Sequence, residues 1–322
     1  MTGINWSKIP VMILEMGFMT NESDDLRMAD SEVQVLMAEG IADGIDAYFE
    51  QKGMKTEEVS VEDQAKIDTA LEILGESYVY PAMEAGETWA VSMKDLQTGA
   101  CGDLNGDVQM KAASLIKVFI MATIYDRVCY PASEDRYIAY PESYDGELKQ
   151  LITNMITVSD NTSANTLVRN LGGGDAQAGM AIVNQFCEEN GYTNTHMGRL
   201  FLEENPSGDN YTSANDCMAL LESISEGTCV NEEASAKMMA YLEQQTRRSK
   251  IPSGLSQTGA SVANKTGELY GEYGDFVEND IAVIRENDSA FVLCILSRNV
   301  SDNGTASAKV AEMARVAYSE AK

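Results

Sequence analysis

The sequence predicts a mixed α/β fold in which one sheet is assembled from distant segments and a helical subdomain is inserted between them. Strand-like runs lie on either side of a long helical middle, short polar breaks punctuate that middle, and the chain closes on another helix. At 322 residues it can bury a full core and hold one large domain with a smaller segment before it.

Residues 1–52 read as the smaller unit. Ile9 to Leu14 is a short apolar run of strand length, and Gly17-Phe18-Met19-Thr20-Asn21 is a turn. Met37, Ile41, Ile45 and Phe49 recur at every fourth position as one apolar helix face. Residues 53–61 form a polar linker. The larger domain, 62–322, opens with a helix from about Glu62 to Gly75 and a strand from Thr88 to Asp95, turning at Gln97-Thr98-Gly99. A helix starts at Ser114 and runs to about Val128. Helical segments follow near 147–157, 162–170, 175–190, 214–225 and 233–246, separated by breaks such as Gly172-Gly173-Gly174 and Asn205-Pro206-Ser207-Gly208. Ser213, with Asp216 three residues on, has the form of a capping box. Strands return at Ser261–Thr266, Asp280–Arg285 and Phe291–Ser297, the last two joined at Asn287-Asp288, and a helix covers about Ala306 to Tyr318.

The formal net charge is -28, from 23 basic and 51 acidic residues, which repels a phosphate backbone and leaves no basic stripe for nucleic acid. No run of about 18 uncharged apolar residues is present to span a bilayer. The most apolar stretches, Ile9 to Met19 and Leu115 to Tyr125, carry Glu15 and Lys117 in their middles. The N-terminus shows no basic region, apolar stretch and small-residue cleavage site, so no export signal is expected. Six cysteines, at 101, 129, 187, 217, 229 and 294, lack the close pairing of a zinc site and read as structural thiols. Cys217 and Cys229 are candidates to bridge neighbouring helices, with the pairing left open. No metal and no cofactor are expected. The single histidine, His196 in Asn194-Thr195-His196, reads as a solvated loop residue.

Three polar clusters carry the chemistry: Ser114-Leu115-Ile116-Lys117, Ser159-Asp160-Asn161 and Lys265-Thr266-Gly267. A serine hydroxyl is a poor nucleophile near neutral pH and requires a base within hydrogen-bond reach. With one histidine in the chain, that base is lysine, which serves if its ammonium is buried or crowded by another cation. Ser114 lies at a strand-to-helix junction, Lys117 sits one turn further on the same face, and Ala112-Ala113 and Val118-Phe119-Ile120 surround the pair with apolar residues. Each cluster alone is weak. Ser301-Asp302-Asn303, in a turn before Gly304, and Ser319-Glu320-Ala321-Lys322, at the extreme C-terminus, repeat two of the patterns by chance.

In their order and local structure the three clusters resemble the class A β-lactamase and penicillin-binding serine hydrolase superfamily, over about residues 62–322. That resemblance implies a β-lactamase/transpeptidase-like α/β (α+β) fold, with an antiparallel sheet flanked by terminal helices and an inserted all-helical subdomain. It also implies that Ser114 is the acylated nucleophile, Lys117 its base, and Ser159 the relay to the leaving nitrogen. Asn161 would hold the substrate amide, Lys265 with Thr266 and Gly267 the substrate carboxylate, and the backbone N–H groups of Ser114 and Glu268 the oxyanion. The implied partner is a small-molecule β-lactam or a peptidoglycan stem peptide, and the implied location is extracellular or at the cell surface. A non-turnover penicillin-binding or wall-peptide-sensing module is the alternative.

Class A β-lactamases carry a loop in which Arg, a glutamate two residues later and Asn six residues after the Arg position the deacylating water. Here it reads Arg199-Leu200-Phe201-Leu202-Glu203-Glu204-Asn205, so Arg199 and Asn205 keep their spacing and Phe201 takes the glutamate's place. Slow release of an acyl group is expected, with Glu203 or Glu204 the only nearby substitutes. At the other end, Ile4-Asn5-Trp6-Ser7-Lys8-Ile9-Pro10 and Leu14-Glu15-Met16-Gly17-Phe18-Met19-Thr20-Asn21 resemble the C-terminal end of zinc-dependent N-acetylmuramoyl-L-alanine amidases. Glu15 matches a glutamate that assists catalysis in that family, but the histidines that would hold zinc are missing, so no zinc site is expected. A truncated two-enzyme parent is the implied origin of this fragment.

Overall fold

The structure is a computed structural model that describes residues 20–51, 59–139, 144–203, 208–271, 276–287 and 289–322. The chain divides into two compact units, residues 1–58 and 59–322. In the first, helix α1 (Glu22–Ala29) is capped by Asn21, whose side chain accepts from the Ser23 and Asp24 N–H groups. Helix α2 (Ser31–Gln51) carries the expected apolar positions; Met37 and Ile41 are half-buried and Ile45 is exposed. Helix α1 escapes a periodicity reading because it buries no apolar stripe: Leu26 is 66% exposed. The expected strand Ile9–Leu14, Glu15 and most of the Gly17 to Asn21 turn lie outside the described residues.

The second unit begins with α3 (Val61–Leu74), capped by the Ser60 side chain at Asp63 N–H, and continues into β1 (Thr88–Asp95), β2 (Cys101–Leu104) and β3 (Met110–Lys111). Its helical middle comprises α4 (Ile116–Ile124), α5 (Lys149–Thr157), α6 (Asn161–Leu171), α7 (Ala176–Glu189), the short strand β4 (Tyr211–Thr212), α8 (Ala214–Ser225) and α9 (Glu232–Glu243). The sheet is completed by β5 (Ser261–Tyr270), β6 (Phe276–Glu286) and β7 (Ser289–Arg298), and the chain ends in α10 (Asn303–Ala321). The five strands are ordered β2-β1-β7-β6-β5, every pair antiparallel, so β1 pairs with β7 from the far end of the chain.

The alternation of strand side chains sends each strand's residues to two separate cores. Trp89, Val91, Met93, Leu293 and Ile295 face α3 and α10, meeting Ile67, Leu74, Val310 and Met313. Ala90, Val292, Cys294, Leu296 and Ile281 face the helical middle, meeting Phe119, Ile152, Leu167 and Leu220. This is the fold expected from sequence, an antiparallel sheet flanked by terminal helices with a helical insertion.

Several local expectations need correction. The segment beginning at Ser114 is not one helix to Val128: it starts as a single tight turn over Ala113–Leu115, becomes α4, and ends in a wider turn over Tyr125–Cys129. Ser213 does cap α8 by accepting from Asp216 N–H at 3.1 Å, and the Asp216 carboxylate takes the Thr195 hydroxyl and the Asn194 N–H beside its contact with the Ser213 side chain. All six cysteines are free thiols, so Cys217 and Cys229 form no bridge. Ser301-Asp302-Asn303 starts α10, with Asp302 accepting from Thr305 N–H at 2.6 Å.

Candidate active site

Four elements bring the polar clusters into one cleft of about 260 Å³. Ser114 sits in the tight turn before α4, held by Ala113 at φ +47°, a left-handed conformation that costs an alanine about 1–3 kcal/mol and is found where function fixes the backbone. The same strain recurs at Ser159, φ +61°, between α5 and α6. Asp160 beside it caps α6 by accepting from Ser163 N–H at 2.6 Å. Lys265 and Thr266 lie in β5, where Gly267 makes a close approach: a Cβ there would stand 2.7 Å from the Ala112 carbonyl oxygen and 3.2 Å from the Ser114 nitrogen. Only glycine lets the strand lie this near the Ser114 turn.

Lys117, 0% exposed, is the hub. Its Nζ is 2.6 Å from the Ser159 carbonyl oxygen, 2.7 Å from Asn161 Oδ1, 3.1 Å from Ser114 Oγ and 3.2 Å from Ser159 Oγ. Lys265 Nζ reaches the other side of Ser159 Oγ at 2.9 Å and donates to the Thr266 carbonyl at 2.7 Å. Burial first, and the Lys265 ammonium second, pull Lys117 down to about 6. Burial likewise pulls Lys265 down to about 7, with Arg247 and Lys250 adding to it against the pull of Glu268.

A neutral lysine amine has two hydrogens and one lone pair. The two short contacts to the Ser159 carbonyl and Asn161 Oδ1 satisfy both hydrogens, which leaves the lone pair for the two hydroxyls beside it, those of Ser114 and Ser159. Such an amine, unprotonated near neutral pH and in contact with a serine, is equipped to accept that serine's proton.

A model of the beta-lactamase enzyme family matches residues 76–130 and 135–321. The chain belongs to that family. Among solved structures, this family member is similar to the beta-lactamase from Sphaerobacter thermophilus DSM 20745, with 21% identity, a TM-score of 0.62, and coverage of 80% of this chain and 97% of that one. A mutant of PBP-A in acyl-enzyme complex with penicillin G gives 21% identity, a TM-score of 0.61, and coverage of 80% and 96%. An ancestral class A beta-lactamase gives 22%, 0.61, and coverage of 78% and 99%. At such identities these likenesses establish the fold. Residues 1–47 match an N-acetylmuramoyl-L-alanine amidase model. The uncharacterized protein YqiI of Bacillus subtilis (strain 168) is 40% identical over 48 residues, 15% of this chain and 23% of that protein. The chain thus spans less than a quarter of that relative's length.

Within this family member, the loop after Arg199 places Phe201 beside the hub. Arg199 Nε pairs with Asp209 Oδ1 at 2.7 Å, and Asn165 of α6 clamps Phe201 by accepting from its N–H at 2.8 Å and donating to its carbonyl at 2.9 Å. The ring is buried, with Lys117 Nζ 4.3 Å from its centroid. Glu203 is drawn the other way, to Arg169 at 2.8 Å and Asn165 at 3.3 Å. Glu204 and Asn205, the loop's remaining expected site residues, lie outside the described residues.

Ser114, Lys117, Ser159, Asn161 and Lys265 are thus brought together, and Gly267 and Glu268 border them. The Thr266 hydroxyl is buried and meets no partner at hydrogen-bond geometry. Sequence reasoning missed Arg247 and Lys250. Arg247 lines the cleft and meets Glu268 Oε2 at 3.2 Å; Lys250, 1% exposed, meets Glu268 Oε1 at 2.8 Å and Glu278 Oε2 at 2.6 Å. Behind them lies Asp280, paired across the strands with Thr266. Burial pushes its carboxyl up to about 7, although Lys250, Asn264 and the Ile251 N–H favour the ionised form. A signal was present: Arg247-Arg248-Ser249-Lys250 places three of 23 basic residues within four positions of a strongly acidic chain.

Proposed function

We propose that this protein is a serine acyl hydrolase or acyltransferase acting on β-lactams or D-alanyl wall peptides through an acyl-enzyme on Ser114. The observation that carries this reading is the buried Lys117 amine, with both hydrogens taken and its remaining valence 3.1 Å from Ser114 Oγ. In acylation, Ser114 Oγ bonds to the substrate carbonyl carbon while its proton passes to Lys117. Ser159 Oγ, in contact with both lysines, then relays a proton to the leaving nitrogen as the carbon–nitrogen bond breaks. Asn161 would orient the substrate amide, and the backbone N–H groups of Ser114 and Glu268 would receive the oxyanion. The amidase-like segment at residues 1–47 supports a wall-peptide substrate and a cell-surface location.

Release of the acyl group is expected to be slow, because Phe201 sits where the loop would present a base and Glu203 is committed to Arg169. Loss of general-base assistance typically costs ~10²–10⁴ in rate. Those contacts also favour a second reading, a penicillin-binding or wall-peptide sensor in which acylation itself is the output. Intact-mass measurement after adding penicillin tests both. A stable adduct on Ser114 is expected; fast turnover of a chromogenic cephalosporin with no adduct would contradict slow release, and no labelling at all would remove the acyl-enzyme.

A further inference from the structure

The corner of the cleft beyond Thr266, where an incoming carboxylate was expected to bind, already holds a carboxylate of the chain's own. Glu268 follows Gly267 on β5, lines the cleft with Arg247, and has a side chain only 10% exposed. Its Oε1 accepts from Lys250 and its Oε2 from Arg247. Burial pushes its carboxyl up, but Lys250 and Lys265 outweigh this and hold it below the usual range, so it is an anion at neutral pH.

The cations at this corner are committed. Lys250 also meets Glu278 Oε2 at 2.6 Å and the Asn279 carbonyl at 2.9 Å, so two glutamates share one buried ammonium. Lys265 is spent on Ser159 Oγ and the Thr266 carbonyl. Arg247, 46% exposed, is the remaining cation there, and it leans on Glu268. A second carboxylate brought in by a substrate meets a fixed like charge, with the Thr266 hydroxyl and the outer N–H groups of Arg247 as the donors left to offset it, a repulsive element of the kind that sets specificity.

We propose that Glu268 is a specificity-determining residue that makes this site select substrates whose group beside the scissile bond is uncharged, an amide or an ester, over those carrying a free carboxylate there. The inference rests on Ser114 being acylated, and its test separates the two. Acyl-D-alanyl thioester probes ending in a free carboxylate or in the matching carboxamide are compared by the rate at which intact mass shows Ser114 acylation. The full-length protein is expected to take the carboxamide about tenfold faster or more, and in Glu268→Gln that preference shrinks by about tenfold. Glu268→Asp, which keeps the charge, retains the preference. Lys250 keeps Glu278 in the Gln variant, and thermal unfolding reports whether the fold holds. Preference of the unaltered protein for the free carboxylate overturns the inference with no variant needed, as does an unchanged ratio in folded Glu268→Gln. Penicillin labelling without discrimination between the probes sinks the specificity alone; no labelling by either probe or by penicillin removes the acyl-enzyme and the inference with it.

Discussion

Lys117 can take the Ser114 proton only while it holds none of its own. With the amine held down to about 6 by burial and the Lys265 charge, acylation by penicillin should rise with pH through a limb near that value. Lys265→Ala removes the neighbouring cation, so the limb should move to higher pH; a limb that stays in place would show that Lys265 does not tune the base. Lys117→Ala should slow acylation by ~10²–10⁴. The sign for stability follows from the same depression: between about 6 and the ordinary 10.5 the unfolded chain binds the proton and the folded chain does not, so Lys117 makes stability rise with pH over that window. On the proposed reading, Phe201 governs release of the acyl group. Phe201→Glu places a carboxylate beside the Lys117 amine, which lies 4.3 Å from the present ring centroid, and Asn165 still clamps the backbone. The penicillin adduct should then decay ~10²–10⁴ faster, read as loss of adduct mass with time; an unchanged lifetime would mean that the water is positioned elsewhere.

At the scale of elements, the site depends on β5 lying flat against the Ser114 turn. Gly267→Ala drives a Cβ against the Ala112 carbonyl and the Ser114 nitrogen, so either strand or turn must shift. Overpacking of this kind costs about 1–3 kcal/mol, and the displacement falls on the nucleophile, so penicillin labelling should slow at least about tenfold while the protein remains folded. Labelling at the original rate would mean that the turn absorbs the methyl group freely. The residue pattern made much of this arrangement readable. Ser114 before an apolar helix, Ser159-Asp160-Asn161 before another, and Lys265 in a strand all occupy the expected elements. Strand lengths were less readable, because β5 and β6 run on through polar residues: Gly267-Glu268 and Glu278-Asn279 are paired across the ladder, where Glu268 and Glu278 share Lys250 and Asn279 accepts from the Ser297 N–H instead of marking a strand end. The two-residue pair β3 and β4 left no periodic trace at all, since its register is fixed by a partner about a hundred positions away in the chain.

For the whole molecule, the strand order was not readable from local pattern, because β1 pairs with β7 only once the helical insertion and the last two strands have been made. The family resemblance supplied that topology; periodicity alone supplied the elements. The chain divides between residues 58 and 59, and the division has an energetic counterpart. Among the described residues, the buried clusters on both faces of the sheet are built from residues between Ile67 and Ala317. The residues that meet at Lys117 all come from 114–265. A protein lacking residues 1–58 should therefore fold and keep its site: its unfolding midpoint should stay within about 2–4 °C of the full chain, the shift that ~1 kcal/mol produces in a domain of this size. Its penicillin-labelling rate should remain within about twofold, since every group that meets Lys117 is retained. A larger fall in midpoint, or labelling lost in the shortened but folded protein, would show that the first unit completes the core or the cleft.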